Sequence, residues 1–133
     1  MALTPAYRAF LLEFFKEFGP VEFRRLFNFD GLFREDTIFG IVVEERVYLK
    51  CDENTRGKFA EEGSSAFRYR GRDGSEIVTS YYELPARLYD EPGEVAAWAR
   101  AAFEAASRSS NTMRKAHRRI KGEMPRRSAQ RRV

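Results

Sequence analysis

The sequence predicts a two-layer α+β fold. An antiparallel sheet of about five strands carries helices on one face, in the order α-β-β-β-α-β-β-α, and a basic C-terminal tail follows. Runs with strand character come in pairs joined by short polar turns, which is the pattern of hairpins rather than parallel crossovers. Long amphipathic stretches stand at both ends of those runs and need an apolar layer to cover. After residue 106 the composition changes abruptly to Ser, Asn and cations.

The first element is a helix. Thr4 suits its cap, Pro5 its first turn and Gly19 its left-handed stop. Between them Tyr7, Phe10, Leu11, Phe14, Phe15 and Phe18 recur at three- and four-residue steps and form a core-facing stripe. Val21 to Phe27 alternates imperfectly as a strand, and Asp30-Gly31 reads as a turn. Thr37 to Val43 and Val47 to Cys51 flank the polar tip Glu44-Glu45-Arg46 and read as a hairpin. Asp52 to Glu62 reads as a short helix, capped by Asp52 or Asn54 and stopped by Gly63. A second hairpin is expected from Ala66 to Arg70 and Glu76 to Leu84, around the turn triplet Arg72-Asp73-Gly74. Pro85 ends it. Asp90, Glu91 and Pro92 open a last helix with Val95, Trp98, Ala99, Ala102, Phe103 and Ala106 on one side.

Helices on one side leave the other face of the sheet to be explained. Tyr48 and Lys50 alternate with Val47, Leu49 and Cys51, while Phe67 and Tyr69 alternate with Arg68 and Arg70. The expected second face is mixed aromatic and cationic, with Tyr48, Lys50, Arg68 and Arg70 as its ligand or partner residues. It could be solvated, bind a ligand or pair with a second subunit.

Charge divides the chain. Residues 1–106 carry 14 Lys/Arg against 19 Asp/Glu, a balance of −5, and residues 107–133 carry 10 against 1, a balance of +9. The expected organisation is a folded domain over 1–107 and a flexible basic tail over 108–133. No apolar stretch approaches the roughly 20 residues that span a bilayer, and the N-terminus lacks the pattern of a signal peptide. A lone Cys51 offers neither a disulfide nor a second thiol for a metal, so a cytoplasmic protein is expected.

No catalytic constellation is visible, and a non-enzymatic protein is expected. His117, the only histidine, stands among Arg114, Lys115, Arg118 and Arg119, which repel a metal ion. Cys51 alternates with Val47 and Leu49 and reads as a buried, inert thiol. There is no Gly-rich phosphate loop, nucleophile elbow or paired-histidine helix. Arg25 shares the parity of Val21, Phe23 and Phe27. That would set a guanidinium on the core side, paired with Asp52 or Glu83; a bulge could instead turn it to solvent, or it could hold a ligand.

Several segments together resemble one family. Arg24-Arg25-Leu26-Phe27, Gly31-Leu32-Phe33, Phe39, Leu49-Lys50-Cys51-Asp52-Glu53, Gly63 to Tyr69 and Ser80-Tyr81-Tyr82-Glu83-Leu84-Pro85 are similar to the N-terminal domain of TfoX (Sxy) proteins. Trp98-Ala99 and the Ala-rich run after it fit as well, so the likeness spans about residues 9–106. The resemblance implies a two-layer α/β fold, room for dimerisation and no catalytic residues. The family's best-known members regulate bacterial competence for DNA uptake together with the cyclic-AMP receptor protein. In two respects the chain departs from the family. Asn28-Phe29 stands where the family usually has small residues, often a glycine pair. Full-length competence regulators carry a second helical domain where this chain has a basic segment of some 27 residues.

That segment holds Arg114, Lys115, Arg118, Arg119, Lys121, Arg126, Arg127, Arg131 and Arg132 within nineteen residues. Met113, Ala116 and Ile120 are spaced for one helical face up to Gly122. Such a segment either touches phosphates without reading sequence or serves only to keep the domain in solution. The expected partners are nucleic acid through the tail and a protein or second copy on the mixed face. No membrane, metal or cofactor is expected.

Overall fold

A computed structural model describes residues 3–26 and 28–123, with side chains of the last helix through residue 109. Its elements are α1 (Pro5–Phe14), β1 (Glu22–Leu26), β2 (Phe29–Arg34), β3 (Thr37–Val43), β4 (Arg46–Lys50), α2 (Arg56–Glu61), β5 (Ala66–Arg70), β6 (Glu76–Glu83) and α3 (Pro92–Glu123). A 3-10 turn over Ala86–Asp90 leads into α3. The strands form one antiparallel sheet in the order β1-β2-β3-β4-β6-β5. The two-layer α+β fold and the order of its helices and hairpins are as the sequence predicts, with four strands rather than three before α2.

The sheet has six strands rather than about five, and the added one corrects the reading of Asp30-Gly31. These residues lie inside β2, opposite Arg25 and Arg24 of β1. The chain reverses instead between Leu26 and Phe29, which face each other in register. Side chains crowd over Gly31 in the strand: a Cβ there would sit 2.7 Å from the Phe33 ring and 2.8 Å from a Leu26 methyl, so these would have to shift. An Asp-Gly pair is a turn signal only where nothing packs over the glycine.

Local chemistry explains most of the other boundaries. The Thr4 hydroxyl accepts the Tyr7 N–H at 3.1 Å, which caps α1. The helix closes at Phe14, before the expected Gly19, and the chain runs through tight turns before Gly19 adopts φ +136°. Glu44 and Glu45, at φ 52° and 61°, form the two-residue tip that joins β3 to β4. At the β5–β6 tip, Gly74 at φ +86° turns the chain while Asp73 Oδ1 accepts the Ser75 N–H at 3.0 Å. No helix among the described residues is long and apolar enough to cross a membrane.

The core lies between the helices and one sheet face. Leu11, Phe14, Phe15 and Phe18 meet Val95, Trp98, Ala99 and Ala102 over Leu32, Phe39, Val42, Val47 and Leu49. Each large apolar side chain buried there contributes roughly 1.5–3 kcal/mol. Alanines on α3 bring its backbone close to the sheet, and Phe59 of α2 closes one side edge-on to Trp98 at 4.9 Å. α3 continues through Ser107–Asn111, across the point where the composition changes. Ser and Asn are only modestly weaker helix formers than their neighbours, and no Gly or Pro intervenes before Gly122.

Candidate functional site

Register divides the sheet cleanly. Phe23, Leu32, Gly40, Leu49 and Tyr82 form one cross-strand row under the helices. The next row, Arg24, Gly31, Ile41, Tyr48 and Glu83, alternates with it and faces away from them. This helix-free face is apolar over much of its area: Ile41 is 1% exposed with no helix above it. The sheet itself provides the cover, because it curls.

The curl is visible in one contact. Phe29 starts β2 and Phe67 lies on β5, four strand intervals away, which is about 19 Å in a flat sheet. Their ring centroids are 5.8 Å apart, edge to face. Tyr48 joins them at 5.3 Å from Phe67, and Tyr69 stacks on Phe67 at 6.0 Å. Accumulated strand twist folds diagonal corners toward the same side, and here that leaves a cleft of about 610 Å³ bordered by Phe29, Val43, Phe67 and Tyr69. Asn28, Arg70, Gly71 and Arg72 form its rim.

The cations of this face differ in their partners. Arg24 pairs with Glu22 and Asp36 and lies over the Phe33 ring. Arg46 meets Glu83 at 3.9 Å. Lys50 donates to Ser80 Oγ at 2.6 Å beside the Tyr81 ring. Arg70 is held only by the Gly74 carbonyl at 2.7 Å, and Arg72 has no hydrogen-bond or ion-pair partner among the described residues. Burial, with Glu83 adding to it, pushes the Tyr48 hydroxyl above its ordinary range and keeps it a neutral donor.

Of the expected partner residues, Tyr48 and Lys50 do share the helix-free face. Arg70, the last residue of β5 and opposite Glu76, has the other parity but still borders the cleft where the strand meets the turn. Arg68 has the opposite parity, across from Val78, and pairs with Glu76 at 3.4 Å. By register the face therefore draws Phe67 and Tyr69, and neither arginine, from β5. Arg25 takes the parity expected of it, but its carboxylate is neither Asp52 nor Glu83. It pairs with Asp30 of the neighbouring strand at 3.0 Å, with Asp30 only 5% exposed. Because β1 is an edge strand, the Arg25 side chain stays 41% exposed while facing the helix side.

Asp52 has another partner, Arg108, whose Nε and Nη2 both lie 2.8 Å from Oδ2. Burial works to raise the Asp52 carboxyl. The Arg108 guanidinium and the Asn54 N–H outweigh it and hold it below its ordinary value. The first cation of the basic segment thus ties α3 to the loop before α2. Arg114, Lys115, Arg118, Arg119 and Lys121 are on the α3 backbone, with side chains outside the described residues. Arg126, Arg127, Arg131 and Arg132 lie outside the described residues altogether.

Other chemistry is sparse. Cys51 is buried, and that burial pushes its thiol up to about 11, far from a reactive thiolate. Among the described residues no group of three or more His, Cys, Asp or Glu side chains is placed to hold a metal ion. Phe29, Asn28 and Arg72 escaped the sequence reading as site residues. The available signal was Asn28-Phe29 itself, a bulky ring where small residues are usual.

Compared with known families, residues 13–106 match the TfoX N-terminal domain. No curated protein matches the chain.

Proposed function

This chain belongs to the TfoX N-terminal domain family, and from that membership we propose a non-enzymatic regulatory module acting in competence or transcription-associated control. Its basic C-terminal segment holds nucleic acid without sequence preference, and its folded body recognises a second component. The division of charge carries this reading: −5 over residues 1–106 against +9 over residues 107–133. An acidic body repels a phosphate backbone, so contact is confined to the segment. Arg114, Lys115, Arg118, Arg119 and Lys121 stand on a helix continuous with the core, which couples the bound segment to the body.

The test is a fluorescence-anisotropy titration of duplex DNA with the full chain and with a variant whose nine cations from Arg114 to Arg132 are replaced by Gln. Binding by the full chain alone supports the proposal. Equal binding by both, or none by either at 50 mM salt, refutes it. The aromatic cleft supports a second reading, a small-ligand or protein-binding domain with no nucleic-acid role, and the same titration separates the two.

A further inference from the structure

We propose that the cleft between Phe29 and Phe67 is a binding site for a small planar aromatic anion. The assignment rests on the body being a binding module and is independent of any nucleic-acid contact by the basic segment. Size, lining and charge each point to it. About 610 Å³ lies within the range of sites that enclose small organic ligands, which is roughly 300–1,000 Å³. The walls are the rings of Phe29, Phe67 and Tyr69, with Val43 between them, a surface suited to a flat apolar body. Tyr69 is 46% exposed, an aromatic ring open to solvent beside rings already in mutual contact.

The rim selects the sign of charge. Arg70 and Arg72 both border the cleft, and neither has a carboxylate partner among the described residues. The remaining arginines of this sheet face and its neighbouring strand, Arg24, Arg46 and Arg68, each have one. Two guanidiniums without a carboxylate partner beside an aromatic wall match a carboxylate, sulfonate or phosphate attached to a ring. Asn28 adds an amide that can donate or accept at the same rim.

Other occupants fit less well. The basic C-terminal segment carries the same sign as the rim and is repelled by it. A two-fold contact centred on this rim would set the same arginine pair against its own image. Duplex nucleic acid presents phosphates on a cylinder far wider than this cleft, with its bases stacked inside.

The experiment titrates the full-length protein with 8-anilino-1-naphthalenesulfonate, followed by probe fluorescence and by amide chemical shifts. Saturable binding at one site is expected, with shifts at Asn28, Gly71 and Arg72. The variant Arg70→Gln/Arg72→Gln alters exposed positions only, so Trp98 fluorescence should stay native while affinity falls about tenfold or more. The uncharged N-phenyl-1-naphthylamine should bind at least tenfold more weakly than the sulfonate. Equal affinity for both probes, no loss in the variant, or shifts confined to α3 overturns the proposal. So does displacement of the probe by a single-stranded oligonucleotide, or an affinity that weakens as protein concentration rises through self-association.

Discussion

Replacing Arg25 with Met should destabilise the fold although Arg25 is a surface arginine. The substitution keeps most of the apolar stem and removes the guanidinium that faces Asp30 at 3.0 Å. Breaking one side of a fully buried ion pair costs about 3–5 kcal/mol, whereas an exposed pair is worth about 0–1 kcal/mol. Here the carboxylate is 7% exposed and the guanidinium side chain 41%, so solvent screens one partner and hardly reaches the other. The cost then falls between the limits, at about 1–3 kcal/mol. With a urea dependence of about 1–3 kcal/mol per molar, the unfolding midpoint should drop by about 1 M. Trp98, the only tryptophan and 4% exposed, reports the transition by fluorescence. The double variant Arg25→Met/Asp30→Leu should regain stability, since no charge is left buried alone. A midpoint shift below about 0.2 M, or a double variant no more stable than the single one, refutes the argument.

Four further outcomes follow from the same structure. Gly40→Ala would bring a Cβ to 2.7 Å from the Tyr48 carbonyl oxygen, a backbone atom, and should cost about 1–3 kcal/mol. Gly57→Ala, with open space around it inside α2, should instead stabilise by about 0.5–1 kcal/mol in the same urea assay. Cys51 should resist a thiol-labelling reagent in the native protein and react only as urea unfolds it, because burial keeps the thiol protonated at neutral pH. Arg87 joins Glu62, Glu91 and Glu94 at 2.6 to 3.2 Å, and its guanidinium pulls the Glu94 carboxyl from 4.5 down to about 2. A lowered folded value means stability present above about pH 4.5 and lost as pH falls toward 2. Acid titration of the unfolding midpoint should therefore show a steeper loss over that window in the native chain than in Arg87→Met.

Helices and hairpins were legible in the sequence because their signals are local. Thr4 and Pro5 start α1, and Pro92 starts α3, where cap chemistry puts them. The β3–β4 and β5–β6 hairpins follow from alternation around polar tips. What escaped was non-local. Asp30-Gly31 carries a turn signature, and only the crowding of Leu26, Phe33 and Ile38 over Gly31 explains its place in a strand. A turn at Asp30 also conceals the partner of Arg25, which only the β1–β2 pairing reveals. The mixed face is legible in Tyr48 and Lys50, but the parity of β5 puts Phe67 and Tyr69 there rather than Arg68 and Arg70. The cleft depends on sheet curl, which brings Phe29 to Phe67 across 38 positions of sequence, and no local pattern encodes that approach.

The most direct test of the regulatory reading is the salt dependence of duplex DNA binding by the full chain, measured by anisotropy between 50 and 200 mM salt. If about six cations of the basic segment meet phosphates, the log–log slope should be about −5 and affinity should fall roughly a thousandfold over that range. The slope should flatten toward zero when the nine cations from Arg114 to Arg132 become Gln. A slope near zero in the native chain, or an undiminished slope in the neutralised variant, would contradict the assignment of nucleic-acid contact to this segment.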